Sequence, residues 1–272
     1  MRIIRTLAWV FVAAALPLGI VQAFAADTIR AGGTGTATGM LREAGAKFTP
    51  ETGVGLAIVP SLGSTGAIRA LMDGKLDIAV SGRPLKADEL AAGLRQLLVL
   101  RTPYVMATSR SAPGGLKSAD IAKLYSNADA KWPDGAPIRI VLRPRSDADT
   151  ELLSGLFPGM RDALEEARRR PEVPVAATDQ DNADMAERLI GSLTGTTTSQ
   201  IKTEQRHLKV MPIDGVEPTL ANFESGAYPF AKKLYVLDKT GGSPAAARFV
   251  EFLQSPAGRA VLRSVEVLAE QK

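Results

Sequence analysis

Residues 63–85 read GSTGAIRALMDGKLDIAVSGRPL, and the order of polar and apolar residues in this stretch decides the fold. It predicts a polar turn, a short helix, a buried strand and a second polar turn. Ile68, Leu71 and Met72 have the i, i+3, i+4 spacing that places apolar side chains on one helix face. The apolar run 76–80 follows as the strand. A helix that leads into a buried strand in this way predicts an α/β sheet.

The two polar turns supply hydrogen-bond donors. Ser64 or Thr65 is predicted as the N-cap of the helix, which leaves the first-turn N–H groups and the positive end of the helix dipole facing outward. Ser81, Gly82 and Arg83 follow the strand at its carboxyl end, the edge where open α/β sheets bind ligands. The stretch therefore predicts an anion site.

A second donor-rich turn precedes it in the segment 31–39, AGGTGTATG. Its glycine spacing does not fit the dinucleotide fingerprint, and it lacks the Gly-Lys-Ser/Thr ending of a phosphate-binding P-loop. We interpret Thr34, Gly35 and Thr36 as a turn whose hydroxyl and N–H groups face an anion. A turn that is merely flexible is the alternative.

The first 25 residues have the pattern of a signal peptide. Arg2 and Arg5 are followed by the apolar run 7–20 and by the small-x-small site 23–25, so cleavage is expected after Ala25. The alternative is a membrane anchor, but the apolar run is shorter than the roughly 18 residues that a spanning helix needs. We therefore expect an exported, periplasmic protein.

Composition narrows the possible function. Removal of residues 1–25 lowers 33 basic residues to 31 against 29 acidic ones, a balance of +2, and no basic tract is interleaved with aromatics. Nucleic acid is therefore not an expected partner. The chain has no cysteine and a single histidine, so neither disulfides nor a metal site is expected. No cofactor is expected either. The remaining 247 residues suffice for two lobes of about 100 residues or more.

The motifs in 63–66 and 77–81, Gly-Ser-Thr-Gly and Asp-Ile-Ala-Val-Ser, closely resemble those of the phosphate-binding receptors of bacterial ABC importers. Later segments, including 191–195 and 255–258, resemble the same family in the same order. The resemblance covers nearly the whole mature chain. It implies the two-lobed type II periplasmic binding protein fold, an α/β fold in which each lobe is a mixed sheet flanked by helices.

In the second half, the segment 143–150 reads RPRSDADT. Phosphate receptors have an Arg, an Asp and Ser-Gly-Thr here, and the last three open a helix over the anion. Thr150 matches the family's Thr and Arg143 lies beside its Arg, so the resemblance implies that both contact the ligand. Ala148 and Asp149 replace the Ser and Gly. Asp149 is either a ligand contact or an N-cap carboxylate alone.

The resemblance also implies where the lobes divide. The chain is expected to cross between lobes near 103–105 and near 228–230. We predict one lobe from residues 27–104 plus 227–272 and the other from residues 105–226, closing over the ligand like a hinged clamp.

One departure concerns the choice of anion. Phosphate receptors place an Asp directly after the Ser that ends the strand, where it accepts a proton carried by the ligand. Here Gly82 and then Arg83 follow Ser81. Sulfate-like oxyanions and larger organic anions are therefore alternative ligands to phosphate. Arg83 and Arg143 are predicted to balance the charge of the anion.

The predicted function is a monomeric periplasmic receptor that captures a phosphate-like oxyanion and delivers it to the permease of an ABC transporter. A sensor that passes the signal of a bound anion to a membrane kinase is the alternative. An exported hydrolase is a third class, suggested only by the Ser-x-x-Lys spacing of Ser199 and Lys202, whose companion motifs are missing. No catalytic residue is predicted.

Overall fold

The structure is a computed structural model that describes residues 27–270; the predicted signal peptide lies outside the described residues. The described chain is a mixed α/β fold. Its strands are β1 (Thr28–Gly33), β2 (Gly55–Val59), β3 (Ile78–Ser81), β4 (Leu94–Thr108), β5 (Arg139–Ile140), β6 (Ser192–Thr197), β7 (Lys209–Val210), β8 (Ala231–Lys239) and β9 (Leu268–Ala269).

The helices flank these strands. They are α1 (Gly35–Thr52), α2 (Gly63–Met72), α3 (Ala87–Ala91), α4 (Ile121–Ser126), α5 (Ala148–Leu156), α6 (Met160–Ala167), α7 (Asp179–Arg188), α8 (Thr198–Thr203), α9 (Leu220–Glu224), α10 (Pro244–Gln254) and α11 (Pro256–Ser264). Within residues 27–270 no helix is both long and apolar enough to cross a membrane.

The strands are hydrogen-bonded in the order β2-β1-β3-β8-β4-β6-β5, and β7 and β9 also pair with β4. Strands β1, β2 and β3 are parallel, whereas β8 runs antiparallel to β3 and β4. The 15-residue strand β4 joins the two parts of the sheet, because its residues 94–103 pair with β8 and its residues 104–107 pair with β6. The predicted crossing near 103–105 therefore lies within one continuous strand.

The two largest hydrophobic clusters of the described residues both include side chains of β4. The first packs α1, α10 and α11 against β1, β3 and β8, and its centre is an aromatic group in which the rings of Phe48 and Phe249 are 5.1 Å apart. The second packs α4 and α6 against the far part of β4, around Tyr104, Tyr125 and Trp132. Each core buries apolar side chains on a sheet face, which is the main favourable contribution to folding.

The central stretch forms the elements that its pattern predicts, with shifted boundaries. Helix α2 begins at Gly63, with Leu62 at the N-cap position, so the prediction of Ser64 or Thr65 as N-cap is wrong. Gly63 has a φ of 65°, a left-handed conformation that glycine adopts without strain, so the chain turns at this residue as it enters the helix. The Ser64 hydroxyl instead accepts a hydrogen bond from the Gly82 N–H at 2.8 Å.

The parallel strands place two helix N-termini at one edge of the sheet. Helix α1 starts directly after β1, and α2 starts shortly after the neighbouring strand β2. Because β1, β2 and β3 run in the same direction, their carboxyl ends meet at this edge. Both helices therefore direct their unpaired first-turn N–H groups to the same region.

Candidate functional site

Helix α1 is capped by a carboxylate from a distant helix. Thr34, at the N-cap position, makes no side-chain capping bond of its own. Instead the Asp179 Oδ2 atom accepts the Thr36 N–H at 2.8 Å, the Thr34 hydroxyl at 2.9 Å and the Thr36 hydroxyl at 3.3 Å. Asp179 is the first residue of α7 and is only 4% exposed. The turn predicted to face an anion therefore faces the protein's own carboxylate.

Lys232 completes this arrangement from strand β8 and is fully buried. Its Nζ atom lies 2.5 Å from the Asp149 Oδ1 atom and 3.7 Å from the Asp179 Oδ2 atom. It also donates to the Thr36 hydroxyl at 3.0 Å and to the Thr34 hydroxyl at 3.3 Å. The two hydroxyls thus accept from Lys232 and donate to Asp179, which makes a continuous polar network. We call Thr34, Thr36, Asp149, Asp179 and Lys232 the buried cluster.

Arg143 connects the buried cluster to the loop before α5. Its Nη2 atom lies 2.7 Å from the Asp147 Oδ2 atom and 3.3 Å from the Asp179 Oδ1 atom, and its Nη1 donates to the Ala176 carbonyl at 3.0 Å. The side chain is 10% exposed, and its Nε has no hydrogen-bond partner among the described residues. The Nε–H group is therefore buried without a partner.

The charges in the buried cluster shift one another's titration. Burial raises the pKa of Asp149, the attraction of Lys232 offsets this only in part, and the pKa settles at about 6. Burial also raises the pKa of Asp179, but the attraction of Lys232 and Arg143 outweighs it and the pKa lies below its usual value. The pKa of Lys232 is raised, because its carboxylate neighbours overcome the effect of desolvation.

A cavity of about 260 Å³ opens beside the buried cluster. The first turn of α2 lies on one side. Its N–H groups receive no hydrogen bond from an N-cap side chain, because the N-cap residue is Leu62. Arg143 and the start of α5 lie opposite. The lining residues are Gly35, 61–66, Arg83, Arg143, Pro144, 146–148 and 177–179. We call this space the α2 cavity.

Most of the residues predicted to bind an anion lie at this edge, but several are committed to other contacts. Ser81 is fully buried, and its hydroxyl donates to the Arg83 carbonyl at 2.7 Å. The Arg83 guanidinium lines the α2 cavity yet makes a bidentate pair with Glu89, at 2.7 and 2.9 Å. Gly82 contributes its N–H to Ser64.

Asp149 and Thr150, which were also predicted to bind an anion, do not line the α2 cavity. The Asp149 carboxylate pairs with Lys232, and the cap of α5 is Asp147, whose Oδ1 accepts the Asp149 N–H at 2.8 Å. The alternative of Asp149 as an N-cap is therefore wrong. The Thr150 hydroxyl donates to the Pro144 carbonyl at 2.9 Å, inside the loop that precedes the helix. The side chains of Asp149 and Thr150 thus make contacts inside the protein, which hold the start of α5 in place.

The Ser-x-x-Lys spacing does not assemble a nucleophile. Ser199 is fully buried, whereas Lys202 is half exposed and pairs with Glu266 at 3.4 Å. A serine nucleophile needs its base within hydrogen-bond reach and access to substrate. Neither condition is met by this pair.

Sequence reasoning missed three charged residues of the site: Asp147, Asp179 and Lys232. Lys232 did leave a signal, because it alternates in phase with the buried Leu234 along β8 and so belongs on the inward face. Asp179 left none, since its partners are residues 34 and 36, more than 140 positions away.

Many solved structures are similar to this one, three bacterial binding proteins among them. A protein of Clostridium perfringens described as a phosphate ABC transporter substrate-binding protein, solved with bound phosphate, is 17% identical, with a TM-score of 0.74 over 90% of this chain and 100% of that chain. An ABC-type phosphate transport receptor of Vibrio cholerae is 16% identical, with a TM-score of 0.60 over 88% and 99%. The periplasmic molybdate-binding protein of Azotobacter vinelandii is 14% identical, with a TM-score of 0.58 over 89% and 100%.

No curated protein matches the sequence. At these identities the structural similarities establish the fold, and the family follows from the sequence itself. The family model described as a PBP superfamily domain matches residues 21–257. The chain therefore belongs to the periplasmic binding protein (PBP) superfamily.

Proposed function

We propose that this protein is an exported solute-binding receptor that holds a small anion in the α2 cavity and delivers it to the permease of an ABC transporter. The family and the phosphate- and molybdate-binding structures of the same fold support this role. The transporter, the periplasmic location and a monomeric state are parts of the proposal.

The contrast between the helix N-termini at the site is the observation that carries the proposal. Helix α1 is capped by Asp179 and α5 by Asp147, so both already have a carboxylate. Helix α2 has no such cap and opens onto a cavity that Arg143 also lines. An uncapped helix N-terminus beside a cation is suited to bind an anion through its N–H groups and its dipole.

The charge balance limits which anion fits. Arg143 and Lys232 face the three carboxylates of Asp147, Asp149 and Asp179, so this group of charges has no surplus positive charge. The first-turn N–H groups of α2 must then supply most of the affinity, and hydrogen bonds to a charged group contribute about 1.5–3 kcal/mol each. We expect a singly charged group to bind better than a dianion.

The size of the α2 cavity points to the ligand class. Its volume of about 260 Å³ is many times the roughly 10–15 Å³ that one water molecule needs. An inorganic oxyanion fills only part of this space. The proposed ligand is therefore a small organic anion with a phosphate or carboxylate group. Inorganic oxyanions serve as the comparison in the binding experiment.

We further propose the lobe division predicted from the sequence, with residues 27–104 and 227–272 in one lobe and residues 105–226 in the other. The two largest hydrophobic clusters support it, because one lies wholly within the first lobe and the other draws most of its side chains from residues 105–226. Contacts such as that of Asp179 with Thr36 would then join the two lobes when they are closed.

A substitution at Thr65 tests the position of the ligand. Thr65 is exposed, lies in the first turn of α2 and lines the α2 cavity. Thr65→Glu places a negative charge where the anion should bind, so we expect affinity to fall at least about tenfold, equivalent to about 1.4 kcal/mol. Folding should not suffer, because an acidic residue in the first helical turn adds about 0.3–1 kcal/mol of stability.

The measurement is a thermal-shift comparison of phosphate, sulfate, molybdate, acetate and phosphoglycolate, followed by calorimetric titration of the best binder. Thr65→Gln is the matched control, because it adds similar bulk without charge and should keep most of the affinity. Equal affinity in wild type and both variants would place the ligand elsewhere. No stabilisation of the wild type by any of these anions would contradict the proposed function.

A further inference from the structure

A polar groove of about 380 Å³ borders the α2 cavity, and Ser61 lines both spaces. One side of the groove comes from α1 and from the turn after β2, and the other side comes from α7 and from the end of α8. We call it the α1–α8 groove. Its lining residues are Thr38, Arg42, Pro60, Ser61, Gln180 and 203–206. Because one residue borders both spaces, the part of a ligand that projects from the α2 cavity past Ser61 enters this groove.

Several polar side chains of the groove have no partner within residues 27–270. The hydroxyls of Thr38 and Ser61 make no hydrogen bond there, and the Arg42 guanidinium makes neither a hydrogen bond nor an ion pair. Thr38 and Arg42 are four residues apart on α1, so they are neighbours on its surface. The Gln205 amide, on the other side of the groove, is also without a partner in this part of the chain. The groove thus offers donors from both sides.

Glu204 supplies an acceptor at the α8 side. Its carboxylate accepts from Gln180 at 2.6 Å, from Gln200 at 3.2 Å and from the Arg206 Nε at 2.8 Å. A carboxylate has about four lone-pair positions, so one remains. Arg206 contacts three carboxylates, of which Glu204 is one, so this end of the groove has more negative than positive charge.

This combination of groups selects among ligand tails. A second anionic group would meet the excess of carboxylates at the α8 side. An apolar tail would displace water from Thr38, Arg42 and Ser61 without replacing its hydrogen bonds. A hydroxyl group both donates and accepts, so it can bond to Glu204 and to the donors of α1. The groove is therefore suited to an uncharged tail with several hydroxyl groups.

The backbone at the groove supports a binding role. Ser61 and Gln205 are two of the four non-glycine residues with a positive φ among the described residues, at 58° and 53°, and one lies on each side of the groove. Backbone in such sparsely populated conformations is concentrated at binding sites and active sites. Ser61 belongs to one predicted lobe and Gln205 to the other, so closure of the lobes assembles the groove.

We propose that the α1–α8 groove binds the hydroxylated tail of an organic anion whose phosphate or carboxylate group occupies the α2 cavity. The ligand class is thus a polyol phosphate or a polyhydroxy acid. Thr38, Arg42, Ser61 and Glu204 are its specificity-determining residues. The inference rests on the proposed function, because the anionic group must first bind in the α2 cavity.

Two pairs of ligands test this inference, since the members of each pair differ only in hydroxyl groups. Glycerol 3-phosphate is compared with n-propyl phosphate, and 2,3,4-trihydroxybutanoate with butanoate, by calorimetric titration of the wild-type protein. In the pair that binds better, we expect the hydroxylated member to bind at least about tenfold more tightly, because its hydroxyls replace the hydrogen bonds of the displaced water. We call this ratio of affinities the hydroxyl preference.

Two variants locate the hydroxyl contacts. Thr38→Val removes one hydroxyl of the groove and keeps the shape of the side chain, and Arg42→Ala removes the cation that has no partner. Each should lower the hydroxyl preference at least about threefold. Arg69→Ala is the control, because Arg69 is an exposed arginine of α2 that lines neither space, and its loss should leave the hydroxyl preference unchanged.

The outcomes separate this inference from the proposed function. Equal affinity for both members of the better-bound pair would overturn the inference, and so would a hydroxyl preference that persists undiminished in both Thr38→Val and Arg42→Ala. In those cases the proposed function stands as long as Thr65→Glu weakens binding of n-propyl phosphate or butanoate. If no anion binds the wild type, the proposed function and the inference fail together.

Discussion

Lys232→Met is expected to lower the free energy of unfolding by about 3–5 kcal/mol, because it leaves two buried carboxylates without their shared cation. Asp149 and Asp179 are 6% and 4% exposed, so water cannot replace the lost charge. Methionine fills the space of the lysine stem, which separates the loss of charge from the loss of packing. For a protein of this size the melting temperature should fall by roughly 6–20 °C.

Lys233→Met is the matched control for this prediction. Lys233 is the next residue of β8, its side chain is half exposed, and it pairs with Glu270 at 3.0 Å on the surface. Exposed ion pairs contribute about 0–1 kcal/mol, so urea unfolding should detect little change. A loss below about 1 kcal/mol in Lys232→Met would show that Asp149 and Asp179 do not depend on Lys232.

Asp149 and Asp179 should affect stability with opposite pH dependence. The pKa of Asp149 is about 6 in the folded protein, against its usual 3.8, so the folded state holds this proton more tightly. The contribution of Asp149 is fully present below about pH 3.8 and is lost as the pH rises through about 6. Asp179 has a lowered pKa, so its contribution is present above about pH 3.8 and is lost at lower pH.

Conservative amide variants separate the two effects. The unfolding free energy of wild type minus that of Asp149→Asn should fall by about 3 kcal/mol between pH 4 and pH 7, since each pKa unit corresponds to about 1.36 kcal/mol. The same difference for Asp179→Asn should instead fall as the pH drops below about 4. A difference for Asp149→Asn that does not change with pH would show that burial does not raise the pKa of Asp149 beyond what Lys232 offsets.

Local pattern was sufficient to predict the elements of the central stretch. Ile68 and Leu71 are buried on one face of α2, as their spacing predicts, while Met72 is 37% exposed at the end of the helix. The order of the motifs predicted the family and the mixed α/β fold, both of which are confirmed. The apolar periodicity of an element reports its buried face, and this information is contained in the element itself.

The occupant of the α1 terminus could not be predicted in the same way. Thr34 and Thr36 were predicted to face an anion, and their groups do contact one, but it belongs to Asp179. Inward orientation of Lys232 follows from strand alternation, whereas its partners depend on how distant segments pack. A helix start such as 178–182 shows only its own cap residues in the sequence, so Asp179 was not distinguishable from an ordinary first-turn acid.

The substitutions in the segment 143–150 now have a physical account. The resemblance to phosphate receptors led us to expect Ser and Gly where this chain has Ala148 and Asp149, and the Asp149 carboxylate pairs with the buried Lys232. The donors that would surround a free oxyanion are thereby matched with internal carboxylates. The α2 cavity is left as the place where the first turn of α2 still offers N–H groups that no N-cap side chain satisfies, beside Arg143.

A crystal structure of the wild-type protein, grown with the anion that gives the largest thermal shift, tests the central claim most directly. We predict density for that anion in the α2 cavity, between the first turn of α2 and Arg143, with the Asp179 carboxylate still bound to the Thr36 N–H. An anion bound to the Thr36 N–H in place of Asp179, with the α2 cavity empty, would contradict it.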